Sequence, residues 1–449
     1  MIERFLPPRA RALLRNPLPW VVLVYLSGIL LRVIYTLHIQ RPQDLLLSDM
    51  ELYVITARKI AGHEQLGPWD VTHPLGFPAF VAFMIAGAGS LARAANVQIV
   101  ISALVPPAVG LLGAAAYGRR TGLLATVFAS LYFPFIDYGA LFLAEIHFIL
   151  SLTLAFAAFL GARNVRRRAV SLTLAAAGGV ALSIAASFKS VALPAAFAFF
   201  AVEGAALLFA LTNGASSLRA RLTPWVLRGV VVACAAAPLL GVLARVCTRA
   251  NDGHFCVTGN KGGSDFYLGH TGRVGSVAWE TPTRGIHFGS PGAVLRHYDK
   301  VVTVNFPIHD NAANIAAGWR WIAAHPGEAV VLSVDHIYDT LFGVAAWPTY
   351  GNDTWLWSHV SQYLFLASLF VPVVLVWSGI ARRGPRAALT SRTALVTAPI
   401  LGLIVTVVIA TGEVRYRIPF DVFFIAMACA LFTGDLARVD GATSADRHT

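Results

Sequence analysis

Five ionisable residues stand at the margins of long apolar runs: Asp49, Glu145, Lys189, and the pair Arg415 and Arg417. Charge in such places costs solvation energy unless it is paired or functional. A carboxylate there can take a proton from an attacking hydroxyl, and arginine and lysine can hold a phosphate. Together the five suit a substrate with an anionic phosphate and a reacting sugar carbon. Asp49 opens the most informative stretch, Ser48–Phe80. There the acid is followed by a helix with Tyr53 and Ala57 on nearby turns, and then by the Pro-broken segment His73-Pro74-Leu75-Gly76-Phe77-Pro78.

Each residue also has a plainer reading. Asp49 could cap the helix running to about Ile60, although Ser48 is an equally good cap. Glu145 could be a cap or an interfacial charge at the start of an apolar run. Arg415 and Arg417 could be interfacial anchors paired with Glu413, and Lys189 could snorkel. Tyr53, His73 and Glu51 are further pocket candidates, of which Tyr53 and His73 read more readily as packing or loop-shaping residues than as catalytic ones. Asp137 and Asp265 are unassigned polar residues near the same face.

The elements that must position these residues are membrane helices. The chain has 449 residues, 57% of them hydrophobic and only 13% charged, where a soluble protein carries about a quarter charged residues. Apolar runs long enough to span a bilayer recur throughout, so the chain reads as an all-α polytopic membrane protein. The net charge of +12 does not call for a nucleic-acid partner. Its arginines gather in short clusters: Arg4, Arg9, Arg11 and Arg15; Arg119 and Arg120; Arg163 with Arg166–Arg168; Arg219, Arg221 and Arg228; Arg382, Arg383, Arg386 and Arg392. Cytoplasmic loops collect positive charge, and all five clusters fall inside if Leu75–Leu91, broken by Pro78, Gly87 and Gly89, does not cross.

Ten crossings then follow, with both termini inside: Leu18–His38, Val97–Tyr117, Gly122–Ile136, Leu141–Leu160, Ala169–Ala186, Val191–Leu211, Val230–Val246, Val360–Ile380, Ala394–Ala410 and Pro419–Leu436. Their centres are nearly free of charge. The first is too long for a cleaved signal and lacks a small-residue cleavage site. This divides the chain into residues 1–246, a transmembrane catalytic module with a first external loop at 40–96; residues 247–357, an external segment packed as a lid; and residues 358–449, the last helices and a cytoplasmic tail. The external segment is expected to hold helices at Ala312–Ala324 and Glu328–Phe342, parted by His325-Pro326-Gly327, and to return to the interface through Trp347, Trp355 and Trp357. Cys234 and Cys429 fall inside spans and are expected to be buried small residues. Cys247 and Cys256 flank the start of the external segment, either as a disulfide formed in an oxidising compartment or as two free thiols. No Cys or His spacing suits a metal.

The ordered set of motifs resembles the GT-C glycosyltransferases, in the branch of the protein mannosyltransferases and the lipid A aminoarabinose transferase. The resemblance rests on Asp49-x-x-x-Tyr53-x-x-x-Ala57, Gly62 and His73–Pro78, then Leu141-Phe142-Leu143-Ala144-Glu145, Gly263-Ser264-Asp265-Phe266-Tyr267-Leu268-Gly269, and Arg415-Tyr416-Arg417-Ile418-Pro419. It covers nearly the whole chain. It implies a GT-C-like bundle of about ten helices and an inverting transfer of a sugar from a polyprenyl-phosphate donor to a lipid, glycan or protein acceptor, at the periplasmic face of a bacterial inner membrane. On this resemblance Asp49 is the general base, Glu145 orients the acceptor or the base, and Arg415, Arg417 and Lys189 bind the donor phosphate. No cofactor is implied with certainty, and a divalent cation stays open. The chain departs from the pattern in two places. Many relatives have two adjacent acids where Met50 follows Asp49 here, and His73-Pro74-Leu75 stands where relatives usually have Arg or Lys and two prolines.

Two other readings use the same residues differently. An O-antigen ligase-like enzyme would share the donor and the side of the membrane but rely on basic residues of the external segment, such as His287, Arg296 and His297. A lipid or glycolipid transporter would place ionisable residues mid-span on discontinuous helices.

Overall fold

The computed structural model describes residues 16–46, 49–88, 90–211, 218–279, 286–289, 299–343 and 352–436. Arg4, Arg9, Arg11, Arg15, Ser48, Gly89, Trp347, Arg296 and His297 lie outside the described residues, as do the side chains of Arg219, Arg221, His287, Trp355, Trp357 and Arg386.

Among the described residues, nine helices are long and apolar enough to cross a membrane. A bent pair, Arg119–Leu131 (α5) followed by Phe133–Asp137 (α6), makes a tenth if counted as one span; its bend is 61°. Pro134 causes the break, since its ring cannot continue the preceding turn and Tyr132 is extended there. The protein is a multi-pass, almost wholly helical membrane protein. Its remaining spans run through α1 (Leu18–Ile34), α4 (Leu91–Tyr117), α7 (Glu145–Asn164), α8 (Arg168–Phe188), α9 (Ala192–Leu211), α10 (Leu218–Ala250), the pair α14 (Asn352–Phe365) and α15 (Val371–Ala381), α16 (Arg392–Ile409), and α17 (Val414–Arg417) with α18 (Asp421–Thr433).

Helix α18 is the axis of the bundle. Every residue from Asp421 to Ala430 is buried, as its unbroken apolar sequence requires, because a helix that is hydrophobic all round needs neighbours all round. Helix α1 lies at the rim, with Leu23, Leu26 and Leu30 exposed. Between α1 and α4 come two helices that do not cross, α2 (Asp49–Ala61) and α3 (Gly76–Ala88). With 13 residues, α3 is about 20 Å long, too short for a hydrocarbon core of about 30 Å.

The segment between α10 and α14 holds α11 (Gly262–Gly269) and, after it, α12 (Asn311–Ala324) and α13 (Pro326–Phe342). Between them lies a three-stranded sheet that the sequence reading does not anticipate: β1 (Ser276–Trp279) pairs antiparallel with β2 (Ile286–Gly289) and parallel with β3 (Val301–Val304). It has its own small core of Tyr267, Leu268, Val277, Trp279, Val304 and Ile308, fastened to α12 by the Trp279 indole N–H, which donates to Asn314 Oδ1 at 3.0 Å.

Two sequence expectations need correction. Cys234 is exposed on the outer surface of α10, while Cys429 is buried: α10 is a peripheral helix, and a small apolar residue is tolerated on its outward face. Arg32 lies in the middle of the first span and is buried, so the span centres are not all uncharged. It donates to the carbonyls of Gly28, Ala129 and Ser130 and to Ser102 Oγ. It thus satisfies backbone groups at the α5 break and ties three helices together.

Candidate active site

Asp49 opens α2, and the same helix face buries Tyr53 and Ala57. Glu51, two residues on, points away and is exposed. The chain then turns through a loop organised by Asp70, which accepts from Lys59 Nζ at 2.9 Å and from the Gly67 N–H at 2.9 Å. This loop delivers His73 to the start of α3, where Gly76 meets the end of α8: a Cβ at Gly76 would overlap Ser187 Oγ and its carbonyl. That close approach sets His73 and Tyr53 beside Lys189, which follows α8 directly.

Glu145 stands in the first turn of α7. The expected helix from Leu141 starts four residues late, because Gly139–Ala144 is irregular. Its carbonyls are taken by a buried side chain of α4, Gln98, which donates to Gly139 O at 3.0 Å and to Leu141 O. Arg415 sits on the one-turn helix α17 just before the central helix.

These elements bring one ionic chain together. Arg415 Nη2 donates to Asp49 Oδ2 at 2.6 Å, and Arg415 Nε lies 3.1 Å from Glu145 Oε1. Lys189 Nζ donates to the same Glu145 oxygen at 2.8 Å. On the other side, His73 Nε2 is 3.4 Å from Asp49 Oδ1, and Tyr53 packs edge-on against the His73 ring. All but Lys189 are below one-tenth exposed. Burial alone would raise the Asp49 carboxyl, but Arg415 first and His73 second outweigh it and hold Asp49 well below the usual carboxylate range. Burial lowers the Lys189 ammonium, and Glu145 offsets only part of that.

A cavity of about 350 Å³ opens onto this cluster. Its lining mixes the polar side chains of Tyr53, His73, Lys189, Lys261, Asp265, Arg415 and Tyr416 with the apolar ones of Phe188 at the end of α8, Val191 and Leu193 at the start of α9, and Leu403 and Val407 of α16. Lys189 also lies 5.6 Å from the centre of the Tyr416 ring.

Arg417 is placed elsewhere. Its Nε is 3.1 Å from Asp421 Oδ1, its Nη1 donates to Gln362 Oε1 at 2.8 Å and to Leu341 O at 3.0 Å, and the guanidinium lies over the Phe365 ring at 3.5 Å. Tyr132 closes this second cluster by donating to Asp421 Oδ2 at 2.6 Å. Arg417 therefore joins α13, α14 and α18, and it does not line the cavity. Asp137, unassigned from sequence, accepts from the Tyr35 hydroxyl at 2.9 Å. Among residues that sequence reasoning did not select, Lys261 and Tyr416 line the cavity and Gln98 positions Glu145. Only Lys261 carried a signal, a cation beside a glycine pair.

No group of three or more described His, Cys, Asp or Glu side chains could hold a metal ion. Asp49 and Glu145, the acids a divalent ion would need, are both engaged by Arg415.

No protein-family model and no curated protein matches the chain by sequence. By structure it is similar to the oligosaccharyltransferase of Archaeoglobus fulgidus. It matches the form tethered to an acceptor peptide containing an NVT sequon with a TM-score of 0.51 at 12% identity, over 93% of this chain and 50% of that one. It matches the apo form with a TM-score of 0.50 at 13% identity, over 92% and 50%. It matches a complex with Zn and sulfate with a TM-score of 0.50 at 12% identity, over 94% and 51%. The chain thus spans about half the length of these structures. The fold it shares with them is the GT-C fold.

Proposed function

We propose that this protein is a membrane glycosyltransferase that moves a sugar from a polyprenyl-phosphate donor to an acceptor outside the cytoplasm, at the periplasmic face of a bacterial inner membrane. The observation that carries the reading is the mixed lining of the cavity at the ionic cluster. It combines apolar side chains of α8, α9 and α16 with Lys189, Lys261 and Arg415, the last paired with the buried Asp49 carboxylate. A ligand that is part isoprenoid and part phosphate calls for both kinds of lining.

In this reading the acceptor hydroxyl attacks the anomeric carbon while Asp49 takes its proton. The carbon–oxygen bond to phosphate breaks, the configuration inverts, and polyprenyl phosphate leaves with the electron pair. Arg415 and Lys189 stabilise the charge that develops on the phosphate, and Glu145 holds both cations in place. Without donor, Asp49 is a weak base because Arg415 neutralises it. A phosphate that shares Arg415 would weaken that pair and raise the basicity of Asp49 when the acceptor arrives. The outward position is supported by the exposed arginines Arg119, Arg120 and Arg166–Arg168 at the opposite helix ends, and by the Cys247–Cys256 disulfide, a bond of oxidising compartments. The archaeal structures of the same fold include one holding an acceptor peptide, which supports an acceptor class that extends to polypeptide as well as lipid and glycan. A divalent ion belongs to this proposal only as an option, and no step needs it.

The test is sugar transfer by purified wild type and Asp49→Asn, from a panel of short-chain polyprenyl-phosphate sugars to extracted envelope lipids and peptides. Transfer by wild type that is lost in Asp49→Asn, with donor binding retained, is expected. Equal activity in the two would remove Asp49 from the chemistry. No transfer from any donor would sink the enzyme class.

A further inference from the structure

Helix α13 carries its polarity the wrong way round for a helix that faces water. Leu332, His336, Asp339 and Thr340 are buried on its inner side. Past Pro326 and Gly327, every exposed residue of the helix is apolar or aromatic: Val330 at 66%, Val331 at 43%, Val334 at 59% and Tyr338 at 56%. Val330, Val334 and Tyr338 follow one another at intervals of four residues, so they form one stripe along the helix. A segment bathed in water places such side chains inward and its acids and histidines outward.

The stripe is continuous with the exposed apolar surface of a membrane span. Tyr338 and Phe342 share a cavity of about 400 Å³ with Tyr363 of α14 and with Leu366 just beyond it. Tyr363 is itself exposed, and the exposed row runs on through Leu364, Val371, Val374 and Leu375 along α14 and α15. On its other side α13 rests on the helix bundle. Ile337 and Leu341 pack against the bundle core, and a Cβ at Gly412 would overlap the His336 carbonyl. Helix α13 is not among the helices long and apolar enough to cross a membrane, so only one of its faces asks for an apolar partner.

We propose that the outward face of α13 is immersed in the bilayer beside α14, and that the partner it fits is the acyl region of membrane phospholipid. Helix α13 then lies in the membrane surface, with protein on the polar side where an ordinary interfacial helix has water. Tyr338, an apolar ring with a polar hydroxyl, suits the boundary between acyl chains and headgroups. The consequence reaches the candidate active site. His336 backs Gly412, which follows Ala410 and Thr411 of the cavity wall, so the bilayer seats the helix on which that wall rests.

The experiment uses the full-length protein in phosphatidylcholine vesicles, with Cys234→Ser to remove the exposed thiol. Single nitroxide labels are attached through Val330→Cys, Val334→Cys, Leu375→Cys and Glu64→Cys, all at exposed positions where a label leaves the packing intact. Each label's collisions with molecular oxygen, which concentrates among acyl chains, are compared with its collisions with a water-soluble nickel chelate. Leu375 on α15 is the lipid-facing standard, and Glu64, an exposed acid in the loop after α2, is the water-facing one. The oxygen-to-nickel ratio of the two α13 labels is expected to match the α15 label and to exceed the Glu64→Cys label several-fold. A ratio equal to that of the Glu64→Cys label at both α13 positions would place the stripe in water and overturn the proposal. Few collisions with either reagent would mean that protein, such as a second copy of the chain, covers the stripe, and would overturn it equally.

Discussion

The Arg415 guanidinium donates to the Asp49 carboxylate at 2.6 Å, across a sequence separation of 366 residues. This contact closes the end of the chain onto its beginning, and both partners are buried. The pair is at once a structural clasp and, in the proposed chemistry, the base with its restraint.

Breaking the clasp from one side should show both roles. Arg415→Gln leaves Asp49 and Glu145 with one cation between them, an uncompensated buried charge that costs about 3–5 kcal/mol. The expected result is a lower melting temperature in detergent and no transfer. The double variant Asp49→Asn/Arg415→Gln should regain part of the melting temperature and none of the activity. Wild-type melting in Arg415→Gln would mean that the ion pair contributes nothing to the fold.

Arg417 should behave differently from its neighbour two residues away. Its planar fork serves Asp421, Gln362 and Leu341 O while lying on Phe365, and a lysine cannot reproduce that set. Arg417→Lys should lower the melting temperature while leaving the KM for donor within about twofold. Arg415→Lys should raise that KM several-fold or more. A raised KM with unchanged melting in Arg417→Lys would return Arg417 to the phosphate site expected from sequence.

The ionisations of Asp49 and Lys189 act at opposite ends of the pH scale. The folded-state pKa of Asp49 is depressed below 3.8, so its contribution to stability is complete above that value and is lost as pH falls through the lower, folded one. Melting temperature should thus hold from neutral pH down to about 4 as far as this group is concerned, and Asp49→Asn should flatten the decline below it. Lys189 is depressed from 10.5 by burial. The fold therefore releases this proton earlier than the unfolded chain, and raising the pH relieves the cost of its burial. The donor loses a cation over the same range. Affinity for farnesyl phosphate should fall on the alkaline side before pH 10.5 is reached, and Lys189→Arg should shift that fall to higher pH. An unshifted fall in Lys189→Arg would assign it to another group.

Gly76→Ala tests the packing that sets the loop. The added methyl has no room beside Ser187, and overpacking of this kind costs about 1–3 kcal/mol. The expected outcome is a lower melting temperature, with donor affinity reduced because His73 and Lys189 meet at this junction. Gly76→Ala/Ser187→Gly should recover only part of the loss, because it removes the hydroxyl and leaves the residue 187 carbonyl in the way. Wild-type melting in Gly76→Ala would mean that the junction yields without cost.

The sequence by itself determined the membrane architecture, because crossing a bilayer is a local demand: a run of about twenty apolar residues satisfies it whatever the neighbours are. The short α3, the arginine clusters and the helices of the segment between α10 and α14 could be read in the same way, each from its own residues. The meeting of Asp49, Glu145, Lys189 and Arg415 was legible as a shared depth, since four charges at helix ends on one side of a bilayer have few places to go. Their partners were not legible. Arg415 and Arg417 are alike in sequence, and only the direction of a single helical turn sends one to the cavity and the other to Asp421. The small sheet left no trace either, as strands of four residues have too little alternation to mark them, and their pairing depends on chain that returns from a distance. Lys261 reached the cavity lining by the same route, next to buried Asn260, whose bonds to Val71 O and Pro68 O exist only once two distant segments meet.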